Sequence, residues 1–267
     1  MNSNKKTTGD ATNPEINASY MRTRKGESKM NTNKKTARIV GALFLTAMVA
    51  SLLGGGLVES IISAPDYLIA VSENETQLII GVLLELINAI AVVGIGVLLF
   101  PILKQHNESI ALGYLGFRII ESVFCSVIVI SPLSLITLSQ EYLKAGASDA
   151  SYFQTVGTLS IAERASVAGL LIPVFLSLGA LLFYSLLYQS KLLPRFISVW
   201  GLIGAALILT LNLLLTFNLD VGISISLILA LPIISNEIFL GIWLIVKGFN
   251  PSAIASGAAK TDINEIR

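Results

Sequence analysis

Residues 81–100 read GVLLELINAIAVVGIGVLLF. Every side chain in that run is uncharged except Glu85. A helix rises about 1.5 Å per residue, so a run of this length covers the roughly 30 Å of bilayer hydrocarbon. The apolar residues are continuous rather than alternating, which argues against a membrane-spanning strand. The run therefore predicts a transmembrane helix. Working outward from it, the chain offers six such spans: Ala37 to Ile62, Leu78 to Phe100, Ala111 to Leu138, Ile161 to Leu187, Phe196 to Phe217, and Val221 to Val246.

Composition agrees. The chain has 267 residues, 54% hydrophobic and 13% charged, with a mean hydropathy of +0.76. A soluble domain carries about 25% charged residues. The expected fold class is all-α: a polytopic membrane protein, a six-transmembrane-helix bundle with short interfacial helices in the outer loops. Pro65 follows the first span, Pro101 ends the second, Asn107 caps the third and Pro194 opens the fifth. PDYLIAV from Pro65 and SDASYFQTVGTL from Ser148 are expected as the interfacial helices, with Tyr67, Tyr152 and Phe153 at headgroup level.

Charge distribution predicts direction. Eight Lys/Arg precede Ala37; further cations stand at Lys104, Lys191, Arg195, Lys247, Lys260 and Arg267. The first connection holds Asp66, Glu73 and Glu75 with no cation, and the fifth holds only Asp220. By the positive-inside rule both termini are expected in the cytoplasm. Residues 1–36 are expected as a basic, disordered tail, 37–250 as the transmembrane domain, and 251–267 as a disordered tail. The tail echoes itself, MNSNKKT at Met1 and MNTNKKT at Met30, which predicts Met30 as the natural start. The first apolar run lies too deep in the chain for a cleavable signal peptide.

Several chemistries are disfavoured. The one cysteine, Cys125, rules out an intrachain disulfide, and the one histidine, His106, rules out a two-histidine metal or haem site. The sequence carries no nucleotide-binding motif and no nucleophile–base pair, so it leans away from an enzyme. No cofactor, metal or nucleic acid is expected; the expected partner is the lipid bilayer, and oligomeric state stays open.

What stands out is charge inside the spans, where one ionised residue costs about 2.5–3.5 kcal/mol on insertion scales. GFRIIESVF, from Gly116 to Phe124, places Arg118 and Glu121 three residues apart on one helical face with Tyr114, Ser122 and Cys125. The second span adds Glu85 and Asn88, the sixth Asn236 and Glu237, and the outer end of the fourth Glu163 and Arg164 as an outer polar pair. Helical rise predicts a vertical file: Arg118, Glu121 with Glu237, Asn88, Glu85, then Arg164. Glu237 is the expected partner of Arg118, because it brings a second span into contact. One arginine cannot neutralise three glutamates, so at least one carboxyl is expected to be protonated, wet or paired with Arg164. This candidate binding or transport cluster supports small-solute or ion handling, with proton coupling as one form of it. The alternative is a non-catalytic membrane scaffold or accessory component whose buried charges are structural. Small residues at four-residue spacing, Ala47, Ser51 and Gly55 in span one and Gly201 and Ala205 in span five, predict close helix packing. Pro173 and Pro232 predict kinks.

LLELINAIAVVGIGVLLFPILKQHNE, LGYLGFRIIES, LSQEYLKAGASDASYFQTVG, LGALLFYSLLYQSKLLPRFISVWGLIGA and IWLIVKGFNPS occur in that order. Together they resemble a prokaryotic multi-pass membrane family, the domain of unknown function 4386, over Met30 to Ser252. The resemblance implies six spans in a prokaryotic plasma membrane and no particular activity.

Overall fold

The structure is a computed structural model that describes residues 14–145, 150–217, 219 and 221–257. The expectations for residues 1–13 and 258–267, and for Ser148, Asp149 and Asp220, lie outside the described residues. Among the described residues every regular element is helical. Six helical stretches are long and apolar enough to cross a membrane: Asn31–Ile62, Glu75–Leu103, Glu108–Ala145, Ser151–Ser190, Arg195–Thr216 and Gly222–Val246. Many large apolar side chains, Leu52, Ile90 and Ile223 among them, face outward, as a bundle solvated by lipid requires.

Helix α1 (Pro14–Ile62) is longer than its apolar run. Residues 14–36, expected as a disordered tail, continue the same helix. Hydropathy marks where a helix is buried and says little about where it stops. The end at which α1 enters the bundle is called proximal here, the opposite end distal. At the distal end α2 (Tyr67–Glu73) buries Leu68 and Val71, and Val71 packs in one cluster with Val58, Ile61, Ile62, Leu78 and Leu135. Its Leu68 carbonyl accepts a hydrogen bond from Ser139 Oγ, and Tyr67 Oη donates to the Gln154 carbonyl at 2.7 Å. This is the short helix that PDYLIAV predicts.

Helix α3 (Glu75–Leu103) carries Pro101 inside its last turn, three residues short of Lys104, where the helix is capped. Asn107 then caps α4 (Glu108–Val127), its side chain accepting from the Ile110 N–H at 3.1 Å. The third span is not one straight helix. It breaks at Ile128 and Val129, and α5 (Ile130–Ala145) resumes. Pro132 accounts for the break, since it has no N–H for the carbonyl four residues back, at Ile128.

Helix α6 (Ala150–Ser166) runs through a π-helical turn, Val167–Leu171, into α7 (Ile172–Ser190). The second expected interfacial helix is therefore the distal extension of the fourth span. The π turn lies just before Pro173, where the ladder has to tolerate a missing donor. Helix α7 closes at Lys191 in the left-handed conformation (φ 56°). Helices α8 (Arg195–Thr216) and α9 (Gly222–Val246) complete the bundle. Residues 251–257, expected as disordered, form a further helical turn that buries Ala253 in the main core beside Phe249.

Glycines set the close approaches. A Cβ on Gly41 would stand 2.5 Å from the Gly241 carbonyl oxygen, so α1 and α9 touch backbone to backbone near the proximal end. Gly54 does the same against Gly81 of α3, at 2.9 Å. The expected Ala47, Ser51, Gly55 stripe is only partly an interface: Ala47 is buried with Ala91 and Val92, but Ser51 is exposed. In α8, Gly201 lies against the Tyr184 ring, and Ala205 is fully buried.

Candidate functional site

The buried charges form two separate clusters rather than one file. In the distal cluster Arg164 of α6 grips Glu85 of α3 with both guanidinium nitrogens, Nη1 reaching Oε2 at 3.1 Å and Nη2 making a closer contact with Oε1. The same Nη1 donates to the Ile128 carbonyl at 2.9 Å. That is the acceptor left open by Pro132. Arg164 thus supplies the donor that proline removes, and neutralises a carboxylate at the same time. Beside it, Ser131 Oγ donates to the Ser160 carbonyl at 2.8 Å and accepts from Ser160 Oγ at 3.0 Å, fastening α5 to α6. Both charged side chains are 6% exposed, so this pair is dry. Of the outer polar pair, Arg164 meets Glu85 as its expected depth implies, whereas Glu163 is exposed, on another face of α6, and takes no part.

The proximal cluster sits near mid-membrane, since Glu237 lies nine residues before the end of α9, about 14 Å along the helix. Arg118 Nη1 donates to both carboxylate oxygens of Glu121, at 3.1 and 3.0 Å. Its Nε donates to Tyr114 Oη at 3.2 Å. The guanidinium carbon lies 5.5 Å from the centre of the Tyr114 ring and 5.8 Å from that of Phe44 on α1. Gly96 of α3 makes the room: a Cβ there would stand 3.0 Å from Arg118 Cβ. Glu237 comes to 3.9 Å of Arg118 Nη2, beyond hydrogen-bond reach. The bonded partner of Arg118 is accordingly Glu121 on its own helix, and Glu237 acts on it only through charge. The expected preference for Glu237 is reversed, because an i,i+3 pair closes without any helix having to move.

A cavity of about 260 Å³ opens beside this cluster. Arg118, Glu121 and Glu237 line it with Asn88, Cys125 and Ser51, and apolar side chains from α1, α3, α7 and α9 form the rest of the wall. Glu237 is 19% exposed, against 4% for Arg118 and 3% for Glu121, so it is the carboxylate with free access to the space. Leu52 of α1 and Ile234 of α9 both line the cavity and are exposed on the bundle surface, so the cavity reaches that surface. Asn88 points its amide nitrogen at Cys125 Sγ, 3.7 Å away, and Ser122 Oγ donates to the Ala89 carbonyl at 2.7 Å, tying α3 to α4. Asn236 belongs elsewhere: its amide donates to the Ile197 carbonyl of α8 at 3.0 Å, away from the cavity.

Sequence reasoning missed Phe44, Pro132 and Ser51 at these sites. Pro132 was detectable, standing in a run too long for one straight span. Phe44 carried no signal among the similar residues of α1, and Ser51 signalled only helix packing, not a cavity wall. Among the described residues no group of three His, Cys, Asp or Glu side chains is placed to hold a metal ion.

An all-α, six-span bundle with two buried charge clusters is the class of membrane protein that these features define. The chain belongs to the family described as domain of unknown function (DUF4386), which matches residues 39–248. That stretch contains every member of both clusters. No curated protein and no solved structure matches the chain.

Proposed function

We propose that the protein lies in a prokaryotic plasma membrane with both termini in the cytoplasm, and that it handles a small solute or ion through the cavity at Arg118, Glu121 and Glu237. The observation that carries this reading is Glu237, a carboxylate at mid-membrane depth that faces a cavity and has no hydrogen bond to the arginine beside it. Intramembrane carboxylates facing a cavity are the usual groups of ion and proton pathways. With all three side chains ionised the cluster carries one excess negative charge, which suits a cation and includes the proton among the species it takes. Arg118 sets the strength of that attraction, and Tyr114 and Phe44 hold Arg118 in place.

Cys125 is the native reporter, because it lines the same cavity and is the chain's one thiol. A small cationic methanethiosulfonate is expected to label Cys125 in the folded protein, and to do so more slowly in Glu237→Gln. A neutral methanethiosulfonate should label both proteins alike. If Cys125 reacts only after unfolding, the cavity admits no solute and the solute-handling reading fails. The second reading, a non-catalytic scaffold, then stands; it is favoured by the Glu85–Arg164 pair, whose charges are consumed in holding α3, α6 and the broken span together.

A further inference from the structure

A second, larger cavity, about 520 Å³, lies at the proximal end where the α7–α8 turn meets the end of α9. Three cations line it, Lys191, Arg195 and Lys247, and among the described residues no carboxylate does. Among the described residues none of the three forms a salt bridge; Arg195 packs over the Tyr188 ring, 5.1 Å from its centre. The walls are fixed. Asn250 N–H donates to the Leu192 carbonyl at 2.9 Å and its amide to the Lys191 carbonyl at 3.3 Å, locking the two turns together. Leu192, Leu193 and Phe249 are buried beneath.

The cations stand at the ends of three spans, at headgroup level. One turn further into the membrane, Trp243 also lines the cavity and starts an aromatic ridge. Its ring centre is 6.3 Å from Phe196 and 6.0 Å from Phe239, and Phe239 is 5.9 Å from Trp200. Phe196 and Phe239 are exposed on the bundle surface. A basic pocket that continues into an apolar aromatic ridge matches a molecule with an anionic head and a hydrocarbon tail, and it sits where such molecules are concentrated.

We infer that this pocket binds the phosphodiester headgroup of an anionic phospholipid, with an acyl chain lying along Phe196, Trp200 and Phe239. Lys191, Arg195 and Lys247 supply charge to the phosphate, and Trp243 marks the boundary between head and tail. The exposed cations Lys34, Lys35 and Arg38 near the start of the α1 span line neither of the two cavities described above, which separates this site from general attraction to an anionic surface.

The test uses the full chain in detergent, with bound lipid counted by native mass spectrometry and stability followed by thermal shift. Phosphatidylglycerol should bind and raise the Tm, whereas phosphatidylcholine and inorganic phosphate should do neither. The triple variant Lys191→Gln, Arg195→Gln, Lys247→Gln should bind phosphatidylglycerol about 100-fold more weakly, since each cation near an anionic lipid contributes about 1 kcal/mol. Its lipid-free Tm should match the parent, showing that the fold is intact. The variant Lys34→Gln, Lys35→Gln, Arg38→Gln should bind as the parent does. Equal loss in both triples, equal response to phosphatidylcholine, or a response to inorganic phosphate alone would each overturn the inference.

Discussion

Replacing Arg164 by leucine removes two things at once. It strands the Glu85 carboxylate in a dry interior, and it uncovers the Ile128 carbonyl that Pro132 leaves without a donor. Breaking a buried ion pair from one side costs about 3–5 kcal/mol. An unsatisfied buried carbonyl adds about 1–3 kcal/mol. The low end of the sum, about 4 kcal/mol, corresponds to a Tm lower by about 8–16 °C for a domain of this size. The two contributions separate by rescue. Arg164→Leu with Glu85→Leu should recover the ion-pair part and leave the carbonyl part, a residual of about 1–3 kcal/mol. Arg164→Leu with Pro132→Ala should do the reverse, because alanine restores an N–H to the ladder. Glu163→Leu, one residue away but exposed, should change stability by less than about 0.5 kcal/mol. The assay is thermal unfolding of the purified chain in detergent, read by intrinsic tryptophan fluorescence. If Pro132→Ala gives no recovery in the Arg164→Leu background, Arg164 is not standing in for the missing donor. If Arg164→Leu alone unfolds with the parent, the cluster is wet and the whole account fails.

Arg118→Leu should be rescued more by Glu121→Leu than by Glu237→Leu in a double-mutant cycle on Tm, with a coupling difference of about 0.5–3 kcal/mol; equal rescue would make the 3.9 Å contact as strong as the hydrogen-bonded one. Gly41→Ala should cost about 1–3 kcal/mol, because its Cβ meets the Gly241 carbonyl, whereas Gly56→Ala, with no neighbour within 4 Å, should be neutral or slightly stabilising. The thermal-shift comparison of the two variants checks this. For orientation, in a Cys125→Ser background, Ser72→Cys should label with a membrane-impermeant thiol reagent in intact cells and Ser256→Cys should not; the opposite pattern reverses the proposed direction.

The spans were legible because length and continuity of apolar residues are local properties, and lipid imposes both. The two buried charge clusters were half legible. Arg118 and Glu121 announce each other by spacing, since three residues along a helix bring side chains to one face. Glu85 and Arg164 share a depth that helical rise already places together, but the bidentate contact spans three elements, and only the packing of α3 against the broken span sets its geometry. The gap at Ile128 was implied by Pro132, yet nothing local names the donor that fills it. Small-residue packing was legible only in part, for a related reason. Gly41 and Gly54 are chosen by the backbones opposite them, Gly241 and Gly81, and not by a repeat within α1. Residues 14–36 read as tail because hydropathy reports burial, and a polar helix outside the membrane leaves that signal silent.

The Glu85–Arg164 pair also bears on how the chain is made. The two residues are 79 positions apart. At about 5–20 residues per second the ribosome needs about 4–16 s to reach Arg164 after Glu85. During that interval α3 has left the ribosome with its carboxylate and without its cation, and Arg118, the one guanidinium made meanwhile, is taken by Glu121. Until then Glu85 has to be protonated or hydrated, so the charged form of the distal cluster is completed only when the fourth span delivers Arg164.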